Sequence, residues 1–343
     1  LVQHKRNNNN IPKIKVDSIS KSFGDTLILK DISFSIQQGK VLSIIGPSGG
    51  GKTTLLRCLN LLETVDSGSI FWDGKPVVEN LNNTGPVFDV GPDNFREKIG
   101  MVFQEYNLWP NKTILENIIE APCHVKNTPR EKAEERAKYL CEKFGIGSKI
   151  NEYPINLSSG QKQRAAFARA LAMEPEVLLL DEVTSALDPE MVGEILGIIT
   201  KLKLEGYTMV IVTHHLAFAK FVSDEVLFLA DHCVVESGIP DEVLGTPSDY
   251  RTQNFVNSLL NVEPSKLLFD IRASREIPEA TAKELYNKID LDRIRLQVRP
   301  EDEEVLREQM KSKYPFVRLL AYNLFRDYFK DEHSMKTNQA DLL

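Results

Sequence analysis

The octapeptide Gly46-Pro47-Ser48-Gly49-Gly50-Gly51-Lys52-Thr53 constrains this chain more than any other stretch. It fits the pattern G-x-x-x-x-G-K-[ST], whose glycines let backbone N–H groups turn inward around phosphate oxygens at the start of the next helix. The pattern carries that meaning only between a strand and a helix. Here an apolar run, Val41 to Ile45, comes before it, and a helical run, Thr53 to Leu62, comes after it. In that setting Lys52 is expected to neutralise the β- and γ-phosphates and the Thr53 hydroxyl to ligate Mg²⁺. A nucleotide site on an α/β fold is the expectation.

The chain around the loop reads the same way. Residues 13–45 alternate apolar and polar positions and carry two turn signals, Phe23-Gly24-Asp25 and Gln37-Gln38-Gly39. They are expected to form a small sheet whose last strand is Val41 to Ile45. Residues 80–98, rich in Asn, Gly and Pro, read as a loop or insertion, and 113–145 read as helical. Val177 to Leu180 is wholly apolar between Pro175 and Asp181, as suits a strand covered on both faces. Asp188-Pro189 offers an N-cap and a first-turn proline. Val192, Ile195, Ile199 and Leu202 follow at helical spacing, and Gly206 closes that helix. Met209 to Val212, Val226 to Leu229 and Val234-Val235 read as further strands, so the core is α/β and parallel.

Asp181 and Glu182 end the buried run at the carboxyl edge of the expected sheet, where ligands of such folds bind. Asp181 is expected to hold the Mg²⁺ shell and Glu182 to act as general base on an attacking water. Taken alone, an Asp-Glu pair after apolar residues is more often an N-cap; its meaning comes from the phosphate loop.

The remaining arithmetic sets limits. At 343 residues the chain is about two domains long. Its 42 Lys and Arg against 49 Asp and Glu leave a net charge of −7, which argues against a nucleic-acid partner. Cys58, Cys123, Cys141 and Cys233 lie far apart with no Cys-x-x-Cys pair, so reduced packing cysteines are expected rather than disulfides or zinc. No apolar run approaches the ~20 residues that span a bilayer. The polar, Asn-rich start, residues 1–11, reads as a tail and not as a signal peptide. A cytosolic protein is expected, reaching a membrane only through a partner.

Further motifs carry a family resemblance. Leu157-Ser158-Ser159-Gly160-Gln161 resembles the signature motif of ATP-binding cassette (ABC) ATPases. Gln104, in Met101-Val102-Phe103-Gln104, resembles the family's Q-loop glutamine. Ser185-Ala186-Leu187-Asp188 resembles the D-loop, His214 the switch histidine, and Phe23 the aromatic that stacks on adenine. With the phosphate loop and Asp181-Glu182, they stand in the family's order across about residues 12–260. Leu61-Leu62-Glu63, Glu116-Asn117-Ile118, Ala121-Pro122 and Ala170 to Pro175 are similar to ATPase subunits of bacterial polar amino-acid importers.

The resemblance implies a P-loop ABC ATPase domain at 12–262, with a parallel-sheet core, a small antiparallel β subdomain and a helical subdomain at about 105–165. ATP and Mg²⁺ are the implied ligands. Gly46 through Thr54, Phe23, Gln104, Ser158, Ser159, Gly160, Gln161 and Asp188 would bind the nucleotide. Thr53, Gln104 and Asp181 would hold the metal, and Lys52, Glu182 and His214 would carry the chemistry. It further implies a peripheral subunit on the cytoplasmic face of the membrane, bound to a separate permease served by a substrate-binding protein. Two copies would close head-to-tail around two ATP molecules, Ser158 and Gly160 of each completing the other's site. Trp109 and Pro110, just past the Q-loop, could face the permease or pack internally.

Two positions depart from the family pattern. Ser159 replaces the usual glycine of the signature, and Val183 stands where a proline is usual. Neither removes a group with an assigned role, so they bear on rate. Residues 263–343 lie outside the resemblance. Their pattern, strand–helix–strand–helix–helix, predicts a small α+β module for dimerisation, partner docking or ligand sensing. Rival readings are a soluble ABC ATPase of translation or DNA repair, which usually has paired cassettes or a coiled-coil insertion, and an inactive binding module. The single phosphate loop argues against the first, and intact Lys52, Asp181, Glu182 and His214 against the second.

Overall fold

The computed structural model describes residues 11–80 and 92–260. Strands β1 (Ile14–Phe23) and β2 (Thr26–Ile36) form a hairpin around Gly24-Asp25, with Gly24 in the left-handed region. β3 (Val41–Ile45) follows, then helix α1 (Lys52–Leu59), β4 (Ser67–Trp72) and β5 (Lys75–Asn80). The short helix α2 (Pro92–Arg96) leads to β6 (Ile99–Val102), α3 (Ile114–His124), α4 (Arg130–Lys143) and α5 (Ser159–Ala172). β7 (Val177–Asp181), α6 (Pro189–Leu204), β8 (Thr208–Val212), α7 (Leu216–Val222), β9 (Glu225–Ala230) and β10 (Cys233–Gly238) come next, then α8 (Tyr250–Leu260).

Two sheets result. The smaller, β2-β1-β4-β5, is antiparallel; the larger runs β10-β9-β3-β8-β7-β6 and is parallel except for β10. The smaller sheet does not hold β3 as expected. Every residue of β3 is buried, a pattern that fits only a strand covered on both faces, and it pairs with β8 and β9.

Successive side chains of the central strands go to opposite faces. Val177, Leu179, Val210 and Val212 pack with α1 and the small sheet; Leu178, Leu180, Met209 and Ile211 pack with α3 to α6. A third cluster joins β9 to α7, α8 and the single helical turn Asp241–Gly245. Buried Lys13 ties the small sheet to the large one through Asp73 and Glu176, with Trp72 beneath its ammonium at 4.4 Å.

Helix boundaries follow local chemistry. Thr113 and Glu116 form a capping box at α3, and Ser158 and Gln161 form another at α5. α6 ends as expected: Gly206 at φ +85° lets its N–H reach the Lys203 carbonyl and the Tyr207 N–H reach that of Leu202. Asp188 sits at the N-cap of α6, but its side chain makes no capping bond. α1 stops at Leu59, earlier than expected, because Leu61 turns left-handed at φ +52°. The helical stretch 113–145 is two helices, broken where Asn127 turns left-handed before Pro129. Of the expected 80–98 loop, the described part holds α2. Residues 1–10, 81–91 and 261–343, including the expected C-terminal module, lie outside the described residues.

Candidate nucleotide site

β8 lies between β3 and β7, so three loops leave the same edge side by side. The glycine-rich loop follows β3, Asp181-Glu182 end β7, and Thr213-His214 follow β8. Strand order alone brings together residues far apart in sequence.

The loop needs its glycines. Gly46 takes φ +151°, and a Cβ there would sit 2.0 Å from the Leu229 carbonyl oxygen. Gly51 takes φ +88°, with the Ile28 carbonyl oxygen 2.9 Å from its would-be Cβ. The loop is thus pressed against the backbones of β9 and β2 on two sides. Lys52 is 4% exposed and donates to the carbonyls of Gly46 (3.0 Å) and Pro47 (2.8 Å). Burial lowers its pKa, and nearby Glu182 and Asp181 oppose that shift. The Thr53 hydroxyl donates to Asp181 Oδ1 at 2.9 Å. Burial raises the Asp181 pKa, partly offset by this bond.

Glu182 adopts a left-handed backbone at φ +45°, rare for a residue with a side chain. Its N–H bonds the Val212 carbonyl, while the Ser185 N–H and hydroxyl both bond its own carbonyl. The carboxylate so held meets His214 Nε2 at 2.7 Å and Lys52 Nζ at 4.0 Å. The His214 bond is the main cause that holds its pKa below the usual carboxylate range.

Lys52, Thr53, Asp181, Glu182 and His214 therefore converge. Gln104 stands exposed just past β6, the strand beside β7. Phe23 ends β1 half-exposed, with Lys21 Nζ 5.0 Å from its ring. Ser158, Ser159, Gly160 and Gln161 open α5 instead, and among the described residues no hydrogen bond or ion pair joins them to the phosphate loop. Gly160 lies under the Met191 thioether, where a Cβ would sit 2.5 Å from the sulfur. Val183 is buried, and Ser159 lies near the Tyr106 hydroxyl. Trp109 is 42% exposed, with Lys112 and Arg169 against its ring.

Three residues here have no role assigned from the sequence. Asn117, fully buried, accepts from the Trp109 N–H and donates to the carbonyls of Trp109, Lys112 and Thr113. Arg169 donates to both carbonyls of the Tyr106-Asn107 turn after Gln104, and the Tyr106 hydroxyl donates to the Ala186 carbonyl. Their partners are backbone atoms, which no residue pattern announces; only the turn-forming Asn107 hinted at the place.

The sequence profile of the ABC transporter family matches residues 29–185. The arginine transport ATP-binding protein ArtM of Bacillus subtilis is 49% identical over 247 residues, covering 72% of this chain and 100% of ArtM. The chain belongs to the ABC transporter family. A second relative of this ABC subunit, the L-cystine import ATP-binding protein TcyC of the same organism, is 46% identical over 248 residues, covering 72% of this chain and 99% of TcyC. The solved structure of cbiO1 from Clostridium perfringens, part of the ABC transporter complex cbiONQ, superposes with a TM-score of 0.59 at 30% identity. That match covers 72% of this chain and 95% of cbiO1. This ABC protein is an ATPase, with the α/β architecture of its family. No helix among the described residues is long and apolar enough to cross a membrane.

Proposed function

We propose that the chain is the ATP-hydrolysing subunit of an importer for polar amino acids, working as a head-to-tail pair beneath a separate permease. The relatives named for arginine and cystine transport support the substrate class. One observation carries the mechanism: Lys52, Glu182 and His214 meet at the mouth of a loop that only glycines can form.

ATP sits with its phosphates in the Gly46–Thr54 loop and its adenine against Phe23. Glu182, kept ionised by His214, takes a proton from water while the water oxygen attacks the γ-phosphorus. The bond to the ADP oxygen breaks, and Lys52 and His214 steady the charge on the phosphoryl oxygens. Thr53 and Asp181 present a hydroxyl and a carboxylate 2.9 Å apart, an all-oxygen pair that suits a hard cation, and Gln104 stands just past the neighbouring strand β6. These residues would hold Mg²⁺, which when bound neutralises phosphate charge. Ser158 to Gln161 and Asp188 complete the site of the second copy. Among the described residues no hydrogen bond or ion pair joins Ser158 to Gln161 to the phosphate loop within one chain, which supports that arrangement. The chain docks as a peripheral subunit on the cytoplasmic face, and a substrate-binding protein delivers the amino acid to the permease.

The test compares ATPase activity of the wild type with Glu182→Gln, with size-exclusion chromatography in ATP and Mg²⁺. General-base loss should lower turnover by about 10²–10⁴ while ATP still binds. The variant should accumulate as an ATP-bound dimer. Unchanged turnover would remove Glu182 from the mechanism, and a variant that stays monomeric in ATP would remove the paired arrangement.

A further inference from the structure

The turn after Gln104 is held in a conformation its sequence disfavours. Tyr106 and Asn107 are consecutive residues with φ +62° and +49°, and only one of them is a residue that tolerates the left-handed region. The local bonds are tight: the Asn107 N–H reaches the Glu105 carbonyl at 2.6 Å, and the Tyr106 N–H that of Phe103 at 3.2 Å. Both carbonyls of the strained pair accept from one side chain. Arg169 Nη2 donates to the Tyr106 oxygen at 2.8 Å and Nη1 to the Asn107 oxygen, with the guanidinium 5.6 Å from the Trp109 ring.

Among the described residues no carboxylate pairs with Arg169, so its charge is directed onto two carbonyl dipoles. A planar fork matches two adjacent acceptors in a way a single ammonium cannot. Arg169 lies eleven positions past Ser158, on the helix that the signature residues open. The Tyr106 side chain reaches the other way, its hydroxyl 3.4 Å from the Ala186 carbonyl in the stretch between Glu182 and α6. One left-handed turn thus touches the segment after Gln104, the signature helix and the Ser185–Asp188 stretch.

We propose that Arg169 is a positioning residue, whose guanidinium holds the Tyr106–Asn107 turn left-handed and thereby sets where Gln104 and the Ala186 stretch stand relative to the nucleotide. The inference rests on the reading of Gln104 as part of the site. Glycine takes positive φ with less penalty even than asparagine, so Asn107→Gly should lower the cost of the left-handed pair and with it part of the turn's dependence on the clamp. That gives a rescue which a merely structural role for Arg169 would not produce.

The experiment uses the full chain as wild type, Arg169→Met, Asn107→Gly and the double variant. Arg169→Met should lower kcat for ATP about tenfold with KM within twofold, and speed amide exchange across residues 104–109 about tenfold. Adding Asn107→Gly should restore part of both. If Arg169→Met equals wild type, or the double variant stays as impaired as the single, the proposal is overturned. Should Arg169→Met not fold, Arg169→Lys takes its place under the same criteria. A wild type that does not hydrolyse ATP counts against the functional reading; the exchange comparison then decides the clamp by itself.

Discussion

The Thr53 hydroxyl donates to the Asp181 carboxylate across 2.9 Å, joining the first turn of α1 to the end of β7 over the intervening β8. Burial pushes the Asp181 carboxyl above the usual range, and this bond opposes the push. Thr53→Ala removes the opposition and one oxygen of the expected metal pair. Half-maximal activity should then need about tenfold more magnesium, the size of effect typical for groups supporting a metal site. Thr53→Ser should stay near wild type, and a magnesium titration of ATPase rate decides.

His214 sets the acid limb. Its bond is the first cause that depresses the Glu182 pKa. A depressed carboxylate contributes stability that is present above its unfolded value and lost as pH falls through the folded one. The window therefore lies at and below the ordinary glutamate value of 4.5. His214→Ala should move the acid limb of kcat, and the acid-unfolding midpoint, to higher pH. Superimposable profiles for the two proteins would refute this.

Loop glycines should differ in their tolerance. Gly46→Ala drives a methyl into the Leu229 carbonyl at 2.0 Å, whereas the Cβ of Gly49→Ala meets nothing within 4 Å. The second still takes on the left-handed penalty of about 1–2 kcal/mol at φ +78°. ATP affinity, measured by titration calorimetry, should collapse for Gly46→Ala and fall more gently for Gly49→Ala.

Asn117 closes the segment between Lys112 and α3. Asn117→Ala leaves the Trp109 N–H and the Lys112 carbonyl without their buried partner, while the Trp109 and Thr113 carbonyls keep the N–H groups of residues 112 and 117. Unsatisfied groups of this kind cost about 1–3 kcal/mol each, and partial relaxation brings the expected total to about 3 kcal/mol. For a domain of this size that is a drop in Tm of about 6–12 °C, readable by calorimetry.

Thiol reactivity should split in two. Burial pushes the Cys58 and Cys141 thiols up to about 12, while Cys123 and Cys233 are partly exposed. In native protein at pH 8, iodoacetamide should label Cys123 and Cys233, and Cys58 and Cys141 only after unfolding. Mass spectrometry of the labelled peptides reads the outcome.

The phosphate loop was legible because glycine requirements and the Lys52-Thr53 pair are written consecutively. Asp181-Glu182 and His214 were legible because apolar runs announce buried strands and their ends. β3 was visible as a strand, yet its sheet was misjudged: run length gives burial, while partners depend on distant strands. β4 and β5 carried a usable signal that the reading passed over. Asp73-Gly74, both at positive φ, form the two-residue turn between them. The break before Pro129 was similarly present in Asn127. Asn117 and Arg169 act on backbone atoms, so their roles emerge only once the fold has brought those atoms close.

The pleat of β7 has one more consequence. Leu178 and Leu179 are covalent neighbours, yet each belongs to a different interior, one with helices α3 to α6 and one with α1 and the small sheet. The strand is a party wall with a room on either side. Furniture in one room can be rearranged while the other keeps its order: a cavity cut at Leu178 opens among the helices, and one cut at Leu179 opens beside α1.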